Sequence, residues 1–281
     1  MPKHYEALQR AEQERRRKAT GADAPAPASV SFEGPARPVT RAKAGGLLSR
    51  LFRGRKGAGL EESNEGNKRR IALLQPDSFV AEQYRSLRGR IDALAAQRPL
   101  KTLAVTSANA GEGKSTCAVN LATVNAMSVG RSVLLIDCDL RRPKVHWTLG
   151  LQPQVGLAEI LSNQATLDEA IQKLDGVNLD VLPVRSVPPN PSELLASPEM
   201  RKLIEEIAGR YDRVVLDTPA CLGLPDAKSI SELCDGLVMV VRADVTPQEE
   251  VQAALDILDR RRVVGLVLNG SEASREQYGY Y

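Results

Sequence analysis

The stretch 102-TLAVTSANAGEGKSTCAVNLATV-124 decides the fold. Thr102–Thr106 is a β-rich apolar run, the following residues hold two glycines, and Lys114–Met127 has helical spacing, so strand, loop and helix follow in succession. Within it, Ala108-Asn-Ala-Gly111-Glu-Gly113-Lys114-Ser115 fits a phosphate-binding loop, with alanine where the first glycine usually stands. The residue types follow from the task. Gly111 and Gly113 let backbone N–H groups close around phosphate oxygens, and the helix N-terminus adds its positive end. Lys114 reaches the β and γ phosphates, while the Ser115 hydroxyl is placed to ligate Mg²⁺. The nucleotide cradle is therefore expected at Ala110, Gly111, Glu112, Gly113, Lys114, Ser115 and Thr116. A lone Gly-Lys-Ser in a basic loop would carry little weight, but directly after an apolar strand it carries much.

Outward from this unit the same alternation continues. Further strands are expected at Ser132–Asp137, Leu179–Pro183, Arg213–Asp217, Gly236–Val241 and Val263–Leu268. Helices are expected at Pro198–Arg210, Asp226–Leu233 and Gln248–Arg261, with one more over 76–96 ahead of the first strand. Strands separated by helices of this length predict an α/β fold of the P-loop NTPase kind, a mostly parallel sheet flanked by helices.

Two of these strands end in carboxylates. Val133-Leu-Leu-Ile-Asp137-Cys-Asp139-Leu-Arg141 places two aspartates at i, i+2, which point the same way from a strand end. Arg213-Val-Val-Leu-Asp217-Thr-Pro219 supplies a third. The C-terminal edge of such a sheet is where ligands bind. Three carboxylates converging beside Lys114 would repel one another without a cation, and Mg²⁺ with ATP supplies one.

The chain's 281 residues suit one large α/β domain plus an extension. Residues 1–70 carry 16 Lys/Arg against 8 Asp/Glu, and the remainder carries 22 against 27. A basic, largely disordered extension with short helices is thus expected at 1–70, ahead of a mildly acidic domain at 71–281. Residues 21–38 read as a Pro/Ala/Gly linker. In 45–59, Leu47, Leu48, Leu51 and Phe52 share a helical face among Arg50, Arg53, Arg55 and Lys56, which suits contact with a membrane surface or an acidic partner and equally suits a disordered basic linker. No apolar run approaches the ~20 residues of a membrane span, and the N-terminus lacks a signal-peptide core. Four cysteines without metal spacing point to reduced, buried thiols and a cytoplasmic protein.

The chain ends SREQYGYY, so Tyr278, Tyr280 and Tyr281 are half of its six tyrosines. Buried tyrosines are spread through cores, and a group bunched in a polar tail is not core.

With these motifs over about residues 75–281, the chain resembles the bacterial tyrosine kinases (BY-kinases) that control capsule and exopolysaccharide synthesis. Ala108–Ser115 corresponds to their P-loop, Val133–Arg141 to Walker A′, Val214–Pro219 to Walker B and Tyr278–Tyr281 to their terminal tyrosine cluster. The resemblance implies an ATP-dependent protein-tyrosine autokinase with Lys114 on the phosphates. Ser115 and Asp217, with Asp137, would serve the Mg²⁺. Asp137 would activate the tyrosine hydroxyl, Asp139 would support metal or base, and Arg141 would contact phosphate or a neighbouring subunit.

The tyrosines of the tail become the autophosphorylation substrate. From Gly270 to Tyr281 an extended chain reaches roughly 36 Å, at about 3.3 Å per residue, enough to enter a neighbour's site. Glu82, Arg85 and Arg88 fill the family's Glu-x-x-Arg-x-x-Arg self-association pattern and imply a homo-oligomeric ring. A transmembrane chain-length-determinant-type activator, other protein tyrosine substrates and recruitment to the inner face of the plasma membrane are also implied. No nucleic-acid partner is expected.

Ala110, where proline is common, and a very short tyrosine cluster are departures. Partition and division-site switch ATPases share the fold and both Walker motifs. Their P-loop carries a signature lysine where this chain has Asn109, which disfavours that alternative. A non-catalytic nucleotide-binding scaffold is disfavoured by the intact Lys114, Asp137, Asp139 and Asp217.

Overall fold

The computed structural model describes residues 69–271. The amphipathic stretch at 45–57, the rest of the basic extension and the three terminal tyrosines lie outside the described residues. The elements run α1 (Ile71–Leu74), α2 (Phe79–Ala95), β1 (Thr102–Ser107), α3 (Lys114–Ala126), β2 (Val133–Asp137), α4 (Val145–Leu149), α5 (Leu157–Leu161) and α6 (Leu167–Ala170). They continue with β3 (Gln172–Leu174), β4 (Leu179–Leu182), α7 (Pro191–Leu195), α8 (Pro198–Arg210), β5 (Arg213–Asp217), α9 (Asp226–Ser231), β6 (Gly236–Arg242), α10 (Gln248–Ile257) and β7 (Val263–Asn269).

The seven strands form one sheet in the order β3-β4-β2-β5-β1-β6-β7. All neighbours are parallel except the β3–β4 pair at one edge. This is the expected mostly parallel α/β sheet. The central strands are buried on both faces, as a two-sided sheet requires. Their side chains alternate between two cores. Leu134, Ile136, Val214 and Leu216 join the core with α8, while Val133, Leu135 and Val215 join the one with α3. Each large apolar side chain so buried stabilises the fold by about 1.5–3 kcal/mol.

Helix starts follow their capping residues. Ser78 caps α2 by accepting from the Ala81 N–H at 3.2 Å, and Ser197 caps α8 by accepting from Met200, ahead of Pro198 at the first helical position. α3 is sheathed on nearly every side, with Cys117 through Ala126 all buried. Asn120 within it accepts from the Ala72 N–H and donates to the carbonyls of Arg69 and Thr116, so α1 is tied to the P-loop helix.

Two features differ from the sequence expectation. α10 ends at Ile257 rather than Arg261 because the chain turns extended at Leu258. The Asp259 carboxylate then accepts from the Arg261 N–H and caps a separate 3₁₀ turn over Arg260–Arg262. The region 145–195 holds four short helices and the antiparallel edge strand β3, all without a sequence-level counterpart. All four cysteines are buried and free.

Candidate active site

The sheet order brings the predicted motifs to one edge. β2, β5 and β1 are consecutive, so the ends bearing Asp137, Asp217 and the P-loop lie side by side, with Asp137 in register with Asp217. The Cys138 N–H donates to the Asp217 carbonyl at 2.8 Å and fastens the Walker A′ loop across the two strands.

Lys114 opens α3 and donates through Nζ to Asp139 Oδ2 at 2.9 Å, with both side chains nearly buried. Burial alone would lower its pKa, but the charges of Asp217, Asp139 and Asp137 outweigh that and raise it. The site therefore holds a permanent cation. Asp137 is fully buried and accepts three backbone N–H bonds. Oδ1 takes that of Asp139 at 3.1 Å, and Oδ2 takes those of Lys144 and Val145 at 3.0 Å each.

Burial, then the charge of Asp217, pushes the Asp137 carboxyl well above the usual range. Burial also raises Asp217, against the pull of the Lys114 charge and the neighbouring Ser115 hydroxyl. Both oxygens of Asp217 are buried without a hydrogen-bond partner among the described residues. A buried carboxylate left this way is costly, and it marks where a cation belongs.

Above these residues opens a cavity of about 650 Å³ lined by Ala110, Gly111, Gly113, Lys114, Ser115, Thr116, Asp139 and Arg141. Asp137 and Asp217 lie beneath this lining rather than in it. Of the expected cradle, Glu112 also turns away. Its side chain is buried and accepts from the Thr246 hydroxyl and, at 3.5 Å, from the Asn109 amide. Asn109 in turn donates to Glu250 of α10, so the loop is braced from behind.

Gly111 and Gly113 both adopt positive φ, at 86° and 99°. A Cβ at Gly111 would meet open space, whereas one at Gly113 would run into the Asn269 amide. That amide donates to the Glu112 carbonyl at 2.8 Å, and Arg242 Nη1 donates to the Gly111 carbonyl at 3.3 Å. Arg69, Arg142, Lys144, Arg242 and Asn269 line the cavity without having been singled out from sequence. Arg242 and Asn269 close their strands at the ligand-binding edge, a signal that the sheet-edge rule carries. Arg69, by contrast, falls in the expected basic extension, ahead of the α/β domain, and sits over the Trp147 ring at 5.0 Å.

Arg141 also lines the cavity, with Nε and Nη2 engaged by Asp226 and Ser192. The expected self-association residues lie on α2, and each has partners within the chain. Glu82 pairs with Arg85, which also donates to the Pro76 carbonyl at 2.7 Å. Arg88 donates to the Val124 carbonyl at 2.6 Å and the Ser128 hydroxyl at 2.8 Å.

A glycine-lined anion cradle, a buried lysine and strand-end carboxylates in one parallel sheet define a P-loop nucleotide-binding protein. A family model described as an AAA domain matches residues 100–260. The chain is 40% identical over 214 residues to tyrosine-protein kinase YwqD of Bacillus subtilis, an alignment covering 75% of this chain and 90% of that protein. It is 34% identical to tyrosine-protein kinase wzc of Salmonella typhi over 75% of this chain and 30% of that one.

Among solved structures, the kinase domain of Escherichia coli tyrosine kinase ETK superposes with a TM-score of 0.67 at 32% identity, covering 75% of this chain and 83% of that chain. The septum site-determining protein MinD of Pyrococcus horikoshii, complexed with Mg-ADP, lies further off at a TM-score of 0.52 and 25% identity, covering 63% of this chain and 75% of that one. The chain belongs to the bacterial tyrosine kinases, and the likeness to the division-site ATPases is one of fold.

Proposed function

We propose that this tyrosine kinase uses Mg·ATP to phosphorylate its own terminal tyrosines, Tyr278, Tyr280 and Tyr281, and thereby regulates the polymerisation and export of a capsule or exopolysaccharide. The carrying observation is the pair of unpartnered, buried Asp217 oxygens beside Ser115 and Lys114. Among the described residues no three His, Cys, Asp or Glu side chains form a self-sufficient metal site. A serine hydroxyl and one strand-end aspartate hold Mg²⁺ only together with phosphate oxygens, which is how P-loop enzymes bind it. Bound there, the ion would neutralise charge on the phosphates.

The chain's own residues do the rest. The P-loop amides and Lys114 bind and orient the phosphates. Asp137 takes the proton of the incoming hydroxyl, and Asp139 on the cavity wall, whose N–H donates to Asp137, supports it. Such carboxylates act through position and charge more than through strong basicity.

Among the described residues no helix is long and apolar enough to cross a membrane. The reading includes a separate membrane partner, a transmembrane activator of the chain-length-determinant type, in place of the further sequence that the wzc relative carries beyond the part this chain matches. Residues 45–57 would help to hold the complex at the inner face of the membrane. Changing Arg50, Arg53, Arg55 and Lys56 to Glu should then lower recovery of the protein with membranes, and unchanged recovery would leave that segment a linker.

Intact-mass measurement of the full chain with activator, Mg²⁺ and ATP tests the central reading. Phosphate should appear on the tail and vanish in Lys114→Met. ATP hydrolysis with unmodified tail peptides would instead support a switch ATPase.

A further inference from the structure

Ser192 and Asp226 lie outside every motif above, yet both converge on Arg141. Ser192 is the second residue of α7 and Asp226 the first of α9. Arg141 Nε donates to Asp226 Oδ2 at 2.8 Å, and Arg141 Nη2 donates to Ser192 Oγ at 2.7 Å. The Ser192 hydroxyl donates in turn to Asp226 Oδ1 at 2.5 Å. The three side chains close a ring of hydrogen bonds in which each bond has a charged partner, the stronger kind. The Asp226 side chain is fully buried, and both of its oxygens are used here.

A purely structural ring would need only the Ser192–Asp226 bond to join α7 to α9. The third member comes instead from the loop that carries Asp137 and Asp139, and it is the one that reaches the cavity. An unrestrained guanidinium on that wall would sample many rotamers and lose that freedom at each turnover. Held at Nε and Nη2, it keeps one nitrogen, Nη1, without a partner among the described residues. Preset donors of this kind accelerate reactions because they need no reorganisation as charge develops.

We infer that Ser192 and Asp226 are positioning residues of the phosphoryl transfer, fixing Arg141 in advance so that Nη1 is presented to the phosphoryl group in transit. The inference rests on the kinase reading above. It assigns α7 and α9 a part in the chemistry, although neither carries a nucleotide motif.

The test uses the full chain with activator and measures ATP turnover, tail phosphorylation and thermal melting together. Ser192→Ala and Asp226→Asn should each lower kcat roughly tenfold, short of the ~10²-fold that an ångström of misplacement can cost. KM for ATP should stay within about twofold, since ground-state binding rests on the P-loop. Ser192→Thr, which keeps the hydroxyl, should restore most of the rate.

In an Arg141→Met background, Ser192→Ala should have no further effect, the mark of residues that act through a shared partner. An unchanged kcat in Ser192→Ala, or a penalty that persists in full in the Arg141→Met background, overturns the inference. If Asp226→Asn fails to fold, the Ser192 variants and the double variant still decide it. Wild-type ATP hydrolysis without phosphotyrosine would defeat the kinase reading alone, because the same comparison can be read on hydrolysis.

Discussion

Asp217 shows how a single residue can trade stability for function. Its carboxylate sits at the end of a fully buried strand with neither oxygen in a well-formed hydrogen bond among the described residues, and burial raises its pKa despite Lys114 and the neighbouring Ser115 hydroxyl. An unsatisfied buried polar group costs about 1–3 kcal/mol, more when charged. Asp217→Asn replaces that anion with a neutral amide of the same shape. We predict that the variant, free of nucleotide and metal, melts higher than the wild type by about 2–8 °C, as ~1–2 kcal/mol would give in a domain of this size. Its Mg²⁺-dependent stabilisation by ATP should be lost. A variant that melts lower, or still responds to Mg·ATP, would show that Asp217 is satisfied in the resting protein.

The sequence made Asp217 legible because an apolar strand that stops at an aspartate is a local pattern. It could not show that Asp137 and Asp217 lie beneath the cavity lining while Asp139 belongs to it. That depends on the turn after β2, where the N–H groups of Asp139, Lys144 and Val145 converge on Asp137. Glu112 belongs to the motif through its backbone, and its side chain answers to Thr246, far away in sequence.

Long, periodic elements were readable and short ones were not. β5 and α8 match their expected bounds, the helix aided by Ser197 and Pro198 at its start. α4 through α7 span only four or five residues each, too short for a 3.6-residue period to emerge. β3 exists because it pairs with β4, a tertiary fact.

α2 illustrates how one such element is held. Asp92 near its C-terminal end accepts from Arg213 Nη2 at 2.8 Å and from Arg131 Nη1 at 3.2 Å. Arg213 is almost fully buried at the start of β5. Asp92→Ala would leave that guanidinium with the Leu100 carbonyl and only the weaker counter-charge of Asp235. A cost of about 2 kcal/mol follows, below the 3–5 of a fully buried pair because Asp92 is partly exposed. Calorimetry should record a melting point lower by about 4–8 °C, with nucleotide affinity unchanged. A shift within ~1 °C would mean that apolar packing alone docks α2.

At the scale of the whole molecule, the proposed autophosphorylation turns on whether the tail of one chain meets the active site of another. Residues 272–281 leave from β7, whose end lies beside the P-loop through Asn269. Each phosphate adds about −1.5 to −2 charge at neutral pH. A phosphorylated tail would face Asp137, Asp139 and Asp217 in an emptied site, so phosphorylation should oppose assembly.

The α2 residues expected to hold subunits together do not have equal standing in the fold. Arg88 secures the carbonyl of Val124 and the Ser128 hydroxyl at the end of α3, so removing it would loosen the P-loop helix as well as any contact. Glu82 and Arg85 pair on the exposed side of α2, where such pairs contribute only about 0.2–1 kcal/mol and can be exchanged for partners on a neighbour. The discriminating variant is therefore Glu82→Ala with Arg85→Ala, leaving Arg88 in place. It should melt close to the wild type and bind nucleotide normally, yet scatter light as a monomer and phosphorylate its tail poorly. Adding Arg88→Ala should lower the melting point without further reducing assembly. Full tail phosphorylation by the dilute monomeric variant would mean reaction within one chain, and the ring would have to be abandoned.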